Sequence, residues 1–270
     1  TPIGRAYRGA FNATPSPTLA GHCIDEAVKR AGIDGTEVED VIMGCAMQQG
    51  VQVTIARNAV LASNLPVTVP GMSLDRQCSS GMMAIATAAK QIICDGMEIT
   101  IGGGLESISL VQNEKMNVHR MVDKALIAKQ PNIYMPMLQT AEVVAKRYNV
   151  SREAQDIYAL QSQQRTAAAQ QAGKFNDEII ETKTSMGVMD RETKEISYQD
   201  ITLNKDQGNR PSTVIEGLSG LNPVLENGVI TAGNASQLSD GASACVLMEA
   251  ATAAKHSVTP LGIYRGIAVA

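Results

Sequence analysis

Short apolar runs and longer amphipathic stretches alternate along the first hundred residues. The opening segment carries Gly4, Gly9, Pro15 and Pro17 as breakers and reads as coil. Leu19, Cys23, Ala27 and Val28 then recur at helical spacing, so a helix capped by Thr18 and stopped by Gly32 is predicted. Residues 38–47 (VEDVIMGCAM) make a short apolar run that suits a buried strand. A second helix is expected over 55–63, ended by Asn64-Leu65-Pro66, and a strand over 67–74 despite Pro70-Gly71. Residues 79–94 predict a long helix stopped by Asp95-Gly96. The next strand is expected over 99–101, turning tightly at Gly102-Gly103-Gly104. This alternation argues for an α/β layered core.

Between residues 105 and 222 the chain is more polar and holds most of the charge. One clear helix is expected there, opened by Ser151 with Glu153 in its first turn and closed by Gly173. Ala167, Ala168 and Ala169 favour it. Apolar character returns at Val229-Ile230-Thr231, continues through a small-residue loop over 233–241, and ends in a strand over 244–248 and a strand-like piece over 261–270. The expected organisation is a core of 1–106 with 223–250, an inserted domain of 107–222, and the beginning of a further half over 251–270.

Composition narrows the function classes. Of the 270 residues 44% are hydrophobic, enough for a sizeable core, and the formal net charge of −4 argues against broad nucleic-acid binding. No apolar run approaches the roughly 18 residues that span a bilayer. With no Trp and two Phe, the core must be built from small aliphatic residues. The five cysteines are scattered and form no CxxC pair, which suits neither a zinc site nor a disulfide framework. No metal is expected. A reducing compartment is, the cytoplasm in the first place, with an organelle matrix left open.

Cys78 is the strongest candidate for chemistry. It lies where the strand ending at Ser73-Leu74-Asp75 meets a helix apolar on nearly every side: Met82, Met83, Ile85, Ala86, Ala89, Ile92 and Ile93. A helix apolar all round is expected to be buried. Its first turn then carries unpaired N–H groups and the positive dipole end into a dry interior. A thiol held there ionises more readily than the ordinary value of ~8.5. Spacing alone favours the commoner reading, a buried inert cysteine.

The motifs go further. Asp75-Arg76-Gln77-Cys78-Ser79-Ser80-Gly81-Met82 resembles the nucleophile motif of the thiolase family, and Gly102-Gly103-Gly104-Leu105-Glu106-Ser107 resembles its GGxES element. Thr140-Ala141-Glu142, and Ser151-Arg152-Glu153 with Gln155-Asp156, are similar to its loop domain. Thr231-Ala232-Gly233-Asn234-Ala235-Ser236, followed by Asp240-Gly241-Ala242, is similar to its TAGNAS and DGA segments. Met135-Pro136-Met137 ahead of the TAE triplet is closer to degradative 3-ketoacyl-CoA thiolases than to acetoacetyl-specific ones. The resemblance implies a layered α-β-α core, the N-terminal half of an αβαβα fold, with an inserted, mainly helical loop domain.

It also implies a reaction. Cys78 would attack a 3-ketoacyl-CoA, release acetyl-CoA and pass its acyl group to free CoA, with the reverse condensation equally available. Arg210 and Ser236 would contact the nucleotide and pantetheine parts of CoA, and Met137 would line the acyl–pantetheine pocket. Coenzyme A is a substrate, no cofactor is implied, and a homodimer or homotetramer is expected. Asp75 stands where many thiolases have Asn; its carboxylate would raise the thiol pKa and Arg76 would lower it. The family's GHP histidine and downstream CxG cysteine have no counterpart: His22, His119 and His256 lie in other contexts, and Cys245 falls within a strand. The chain is thus expected to be catalytically incomplete alone. Two alternatives remain, a non-catalytic CoA-binding or assembly fragment and a ketoacyl synthase-type condensing enzyme.

Overall fold

A computed structural model of the chain describes residues 1–269. In chain order it contains β1 (Gly4–Arg5), α1 (Ser16–Ala31), β2 (Asp40–Gly44), α2 (Ile55–Ala62), β3 (Gly71–Leu74), α3 (Ser80–Lys90), β4 (Ile99–Ser107) and α4 (Ile108–Val111). There follow α5 (Lys124–Lys129), α6 (Met137–Tyr148), α7 (Arg152–Gln171), β5 (Thr182–Met189), β6 (Ile196–Leu203), α8 (Ile215–Ser219), β7 (Ser239–Met248) and α9 (Ala250–Lys255). These fall into two compact units, one of residues 1–116, 178–208 and 238 onward, the other of 117–177 and 209–237.

The core unit is organised by the apolar run of residues 40–44, which is buried throughout. It forms β2, central in a sheet of order β1-β7-β4-β2-β3. Strands β3 and β4 pair with β2 in parallel, while β7 runs antiparallel to β4 and β1 antiparallel to β7. Side chains alternate across a strand. Val41 and Met43 therefore join a large cluster with Leu19, Ile24, Ile55 and Val60 of α1 and α2, and Ile42 faces Ala84 and Ala88 of α3. The layered α-β-α expectation holds for this unit.

The two faces are packed differently. The α1/α2 side is a conventional aliphatic core, whereas α3 lies on the sheet through small residues. A Cβ added at Gly44 would sit 2.1 Å from the Ser80 carbonyl carbon, and one at Gly102 would sit 2.7 Å from Ile85 Cα. One added at Gly104 would sit 2.8 Å from Gly81 Cα. These distances are far inside contact range, so only glycine lets the helix backbone come so near. The run Gly102–Gly104 is accordingly not the expected tight turn. It continues β4, which extends to Ser107.

Local signals in the sequence are well represented. Gly32 adopts a left-handed conformation and caps α1 through Lys29, and the Ser151 hydroxyl accepts the Ala154 N–H at the start of α7. Helix α1 starts earlier than expected, at Ser16 after Pro15 rather than at Thr18. Three differences are larger. Residues 178–208, expected within the helical insertion, contain the antiparallel hairpin β5–β6 and belong to the core unit. Asn12 binds this hairpin by exchanging hydrogen bonds with both backbone groups of Gly187, at 2.8 and 2.9 Å. Residues 223–237, expected in the core, belong to the other unit. The strand-like piece over 261–270 forms no strand among the described residues, and Leu261 is fully exposed; Ala270 lies outside them.

If glycine is required at the α3 contact, Gly44→Ala should cost about 3 kcal/mol, the upper part of the usual overpacking range. Gly262→Ala meets nothing within 4 Å and should change stability by less than about 0.5 kcal/mol. Denaturant midpoints measure both. Equal midpoints would remove this contact from the account of stability.

Candidate functional site

Parallel strands place their carboxyl ends on one edge, and in α/β sheets that edge is where ligands bind. Here Gly44 is level with Leu74 on one side and with Gly104 on the other, so β2 and β3 finish together while β4 continues to Ser107. The Cys45 N–H donates to the Leu74 carbonyl at 3.0 Å and ties the next step of the chain to this edge. Residues 75–79 then turn from β3 into α3, and Cys78 is on that turn.

The turn is tightly built. Gln77 takes a left-handed conformation, φ 49°, which costs a residue with a side chain about 1–2 kcal/mol. The Asp75 carboxylate accepts the Gln77 N–H at 2.6 Å. The Ser80 hydroxyl, 3% exposed, accepts the Arg76 N–H at 2.8 Å and donates to the Gln77 carbonyl at 2.6 Å. Ser79 donates its hydroxyl to the Arg76 carbonyl at 2.8 Å.

Beside the turn lies a buried polar cluster that sequence reasoning did not single out. Gln52, fully buried, accepts the Ser107 N–H at 2.7 Å and the Ser16 hydroxyl at 2.9 Å. Its amide nitrogen donates to Glu106 at 2.5 Å and to the Met47 carbonyl at 2.8 Å. Glu106 also accepts the Ala46 N–H at 3.0 Å. Burial, reinforced by the negative charge of Glu106, pushes the Cys45 thiol up to about 12. Glu106 was visible only as part of a motif; a glutamine inside a loop of apolar neighbours was the one cue to Gln52. At the same end of β4, buried Asp240 accepts the Ser109 N–H at 2.9 Å, and its carboxyl is raised by burial and then held back by the Ser109 bonds.

Cys78 itself corrects the sequence reading. Its side chain is exposed, as is Met82 at 66%. The sheet covers the face of α3 that carries Ser80, Ala84 and Ala88, while Met82 on another side of the helix stays exposed and Met83 and Ile85 are half-buried. The expectation of a dehydrated thiol at a wholly buried helix start fails for that reason. Of the remaining cysteines, Cys23 and Cys45 are buried, Cys245 is half-buried and Cys94 is exposed. His22 on α1 bonds the Glu181 carbonyl at 3.0 Å and His256 meets Glu37 at 3.1 Å, so both serve packing contacts. His119 is exposed on a loop.

Met137, Arg210 and Ser236 belong to the second unit, and all three side chains are exposed. Met137 opens α6, and the Arg210 carbonyl closes a turn by accepting the Thr213 N–H at 3.1 Å. The motifs around them turn out to be braces. Glu142 of the TAE triplet accepts the Val229 and Ile230 N–H groups, each at 2.9 Å. Asp156, 2% exposed, pairs with Arg152 at 2.7 Å and accepts the Asn234 amide at 3.0 Å. Arg152 Nη2 donates to the Leu218 and Leu221 carbonyls at 2.7 and 3.0 Å. A cleft of about 600 Å³ in this unit lies between the end of α6 and residues 225–229.

Comparison with known proteins agrees with the motifs. The family description "Thiolase, N-terminal domain" matches residues 1–251. A 3-ketoacyl-CoA thiolase of Bacillus subtilis is 39% identical over the whole chain, which covers 68% of that protein. The human peroxisomal 3-ketoacyl-CoA thiolase is 38% identical, again over the whole chain and 62% of its own length. Among solved structures, the Bacillus anthracis acetyl-CoA acetyltransferase superposes with a TM-score of 0.78 at 34% identity, over 97% of this chain and 66% of that one. The chain therefore spans about three fifths to two thirds of the length of these relatives. The turn after β3, the braces built from the loop-domain motifs and these matches have one meaning: the chain belongs to the thiolase family, its residues 1–251 matching the N-terminal domain.

Proposed function

We propose that this chain supplies the nucleophile-bearing part of a 3-ketoacyl-CoA thiolase. The carrying observation is Cys78 on a hydrogen-bonded turn where the parallel strands β2 and β3 end, inside a motif that resembles the nucleophile segment of thiolases. The Cys78 thiolate attacks the 3-keto carbon of a 3-ketoacyl-CoA. The bond between C2 and C3 then breaks, its electron pair staying on the acetyl-CoA carbanion, which takes up a proton. The acyl group left on sulfur passes to the thiol of free CoA, and the Cys78 thiolate is regenerated. Each half proceeds through an oxyanion that preorganised donors must hold. The proton carriers that the family resemblance assigns to a GHP motif and a downstream CxG motif are not among these residues.

Exposed Met137, Arg210 and Ser236 are proposed as the CoA-facing residues, Arg210 toward the nucleotide, Ser236 toward pantetheine and Met137 toward the acyl–pantetheine junction. The exposed apolar side of α3 supports the expectation of a homodimer or homotetramer. An exposed Cys78 also favours a second reading, a CoA-binding or assembly module without turnover, and acyl transfer separates the two.

Incubated with a 3-ketoacyl-CoA, the complete gene product should carry the acyl group on Cys78 by peptide mass spectrometry. Cys78→Ser should lower kcat by at least about 10³-fold, since a hydroxyl is a far poorer nucleophile than a thiolate near neutral pH. An acyl label on another residue, or full activity in the variant, would defeat the assignment. Arg210→Ala should raise the KM for CoA about tenfold with kcat within twofold, the pattern of lost uniform binding; an unchanged KM would remove Arg210 from the site.

Iodoacetamide gives an independent reading of the cysteines. At pH 8 the exposed Cys78 and Cys94 should react. Cys45 should not, because a pKa raised to about 12 keeps it protonated as well as buried. Denaturant should make Cys45 reactive as its pKa returns to the usual range. Modification of Cys45 in the folded protein at pH 8 would contradict the buried cluster.

A further inference from the structure

The turn that presents Cys78 is held from both ends. Its upstream end is fixed to the sheet by β3 and by the Cys45 N–H on the Leu74 carbonyl. Its downstream end is fixed by Ser80 and Gly81, whose backbones press on Gly44 and Gly104. Between these supports Gln77 is left-handed, a conformation disfavoured for any side chain other than glycine's. Something must hold it there. Two side chains do so: Asp75 Oδ1 accepts the Gln77 N–H at 2.6 Å, and Ser80 Oγ takes the Arg76 N–H at 2.8 Å while donating to the Gln77 carbonyl at 2.6 Å. The two also approach each other, Ser80 Oγ lying 3.5 Å from Asp75 Oδ1. Both peptide groups flanking the Gln77 Cα are thereby engaged, and Cys78 is the next residue.

We infer that Asp75 and Ser80 are positioning residues for the Cys78 thiol, a clip that holds Gln77 left-handed and so fixes the direction in which the nucleophile leaves the turn. This rests on Cys78 being the acylated residue. The clip acts through hydrogen-bond acceptance at Asp75, not through its charge. The amide oxygen of asparagine can take the same bond from the Gln77 N–H, whereas alanine cannot. Glycine at position 77 adopts the left-handed conformation without help.

The complete gene product and its variants are assayed for acylation of Cys78 and for thiolysis, with thermal denaturation alongside. Asp75→Ala should lower kcat at least tenfold with the KM for CoA within twofold. Asp75→Asn should stay within threefold of the parent, and Asp75→Ala combined with Gln77→Gly should recover to within threefold. Ser80→Ala should show the same kcat loss as Asp75→Ala, but its buried hydroxyl makes it the variant more exposed to misfolding, so the decision rests on the position 75 and 77 series. Parental kcat in Asp75→Ala, an Asp75→Asn variant as slow as Asp75→Ala, or no recovery with Gln77→Gly would overturn the inference while leaving Cys78 as nucleophile. Absence of an acyl label on Cys78 in the parent protein would instead overturn the functional reading, and the clip with it.

Discussion

The close approach of one helix to one sheet governs the rest of this structure. Helix α3 meets β2 and β4 at Gly44, Gly102 and Gly104, where any side chain would enter the helix backbone. The contact is small in apolar area, with Ile42, Ala84 and Ala88 as its buried centre. What it supplies is precision, because close-packed backbone has little room to shift. The α1/α2 side supplies most of the buried aliphatic surface. One face of the sheet thus carries stability and the other carries placement.

That division explains where the chemistry can sit. A nucleophile needs a fixed direction more than it needs burial in its own chain, and the turn at residues 75–79 is anchored to both β3 and the glycine seat. The Gln52–Glu106 cluster stiffens the same edge from the side, since the Gln52 amide and the Glu106 carboxylate are answered by backbone and side-chain partners. Cys45 belongs to this framework, where burial and the Glu106 charge keep it a thiol. Cys78 alone on this edge combines a motif position with an exposed sulfur.

Features set by a residue and its immediate neighbours were legible in the sequence. The Gly32 cap, the Ser151 cap and the buried run at 40–44 follow from hydrogen bonding and periodicity within a few positions. Features set by distant partners were not. Gly102–Gly104 looks like a turn until α3 is known to need the space. The hairpin strands, TKTSMGVM and ISYQDITL, alternate weakly because β6 is largely exposed, so no periodic signal marked them. Cys78 was found through its motif; its exposure was not foreseen, because an apolar helix reads as buried whether or not its own chain supplies the cover. Asp75 attracted notice only for its charge and Ser80 only as part of a motif, since the bonds they make depend on the conformation of Gln77.

The hairpin β5–β6 divides the second unit into two stretches of sequence. Glu142 waits for Val229, 87 positions later, and Asp156 for Asn234, 78 positions later. During synthesis α6 and α7 leave the ribosome before these distant partners exist, and the core hairpin is made ahead of them. Contacts of such long sequence separation are slow to form, because loop closure precedes any gain from them. Chain growth therefore orders assembly: β2, β3 and β4 can gather early, while β1 waits for β7 and the second unit acquires its internal ties only after residue 234 has emerged.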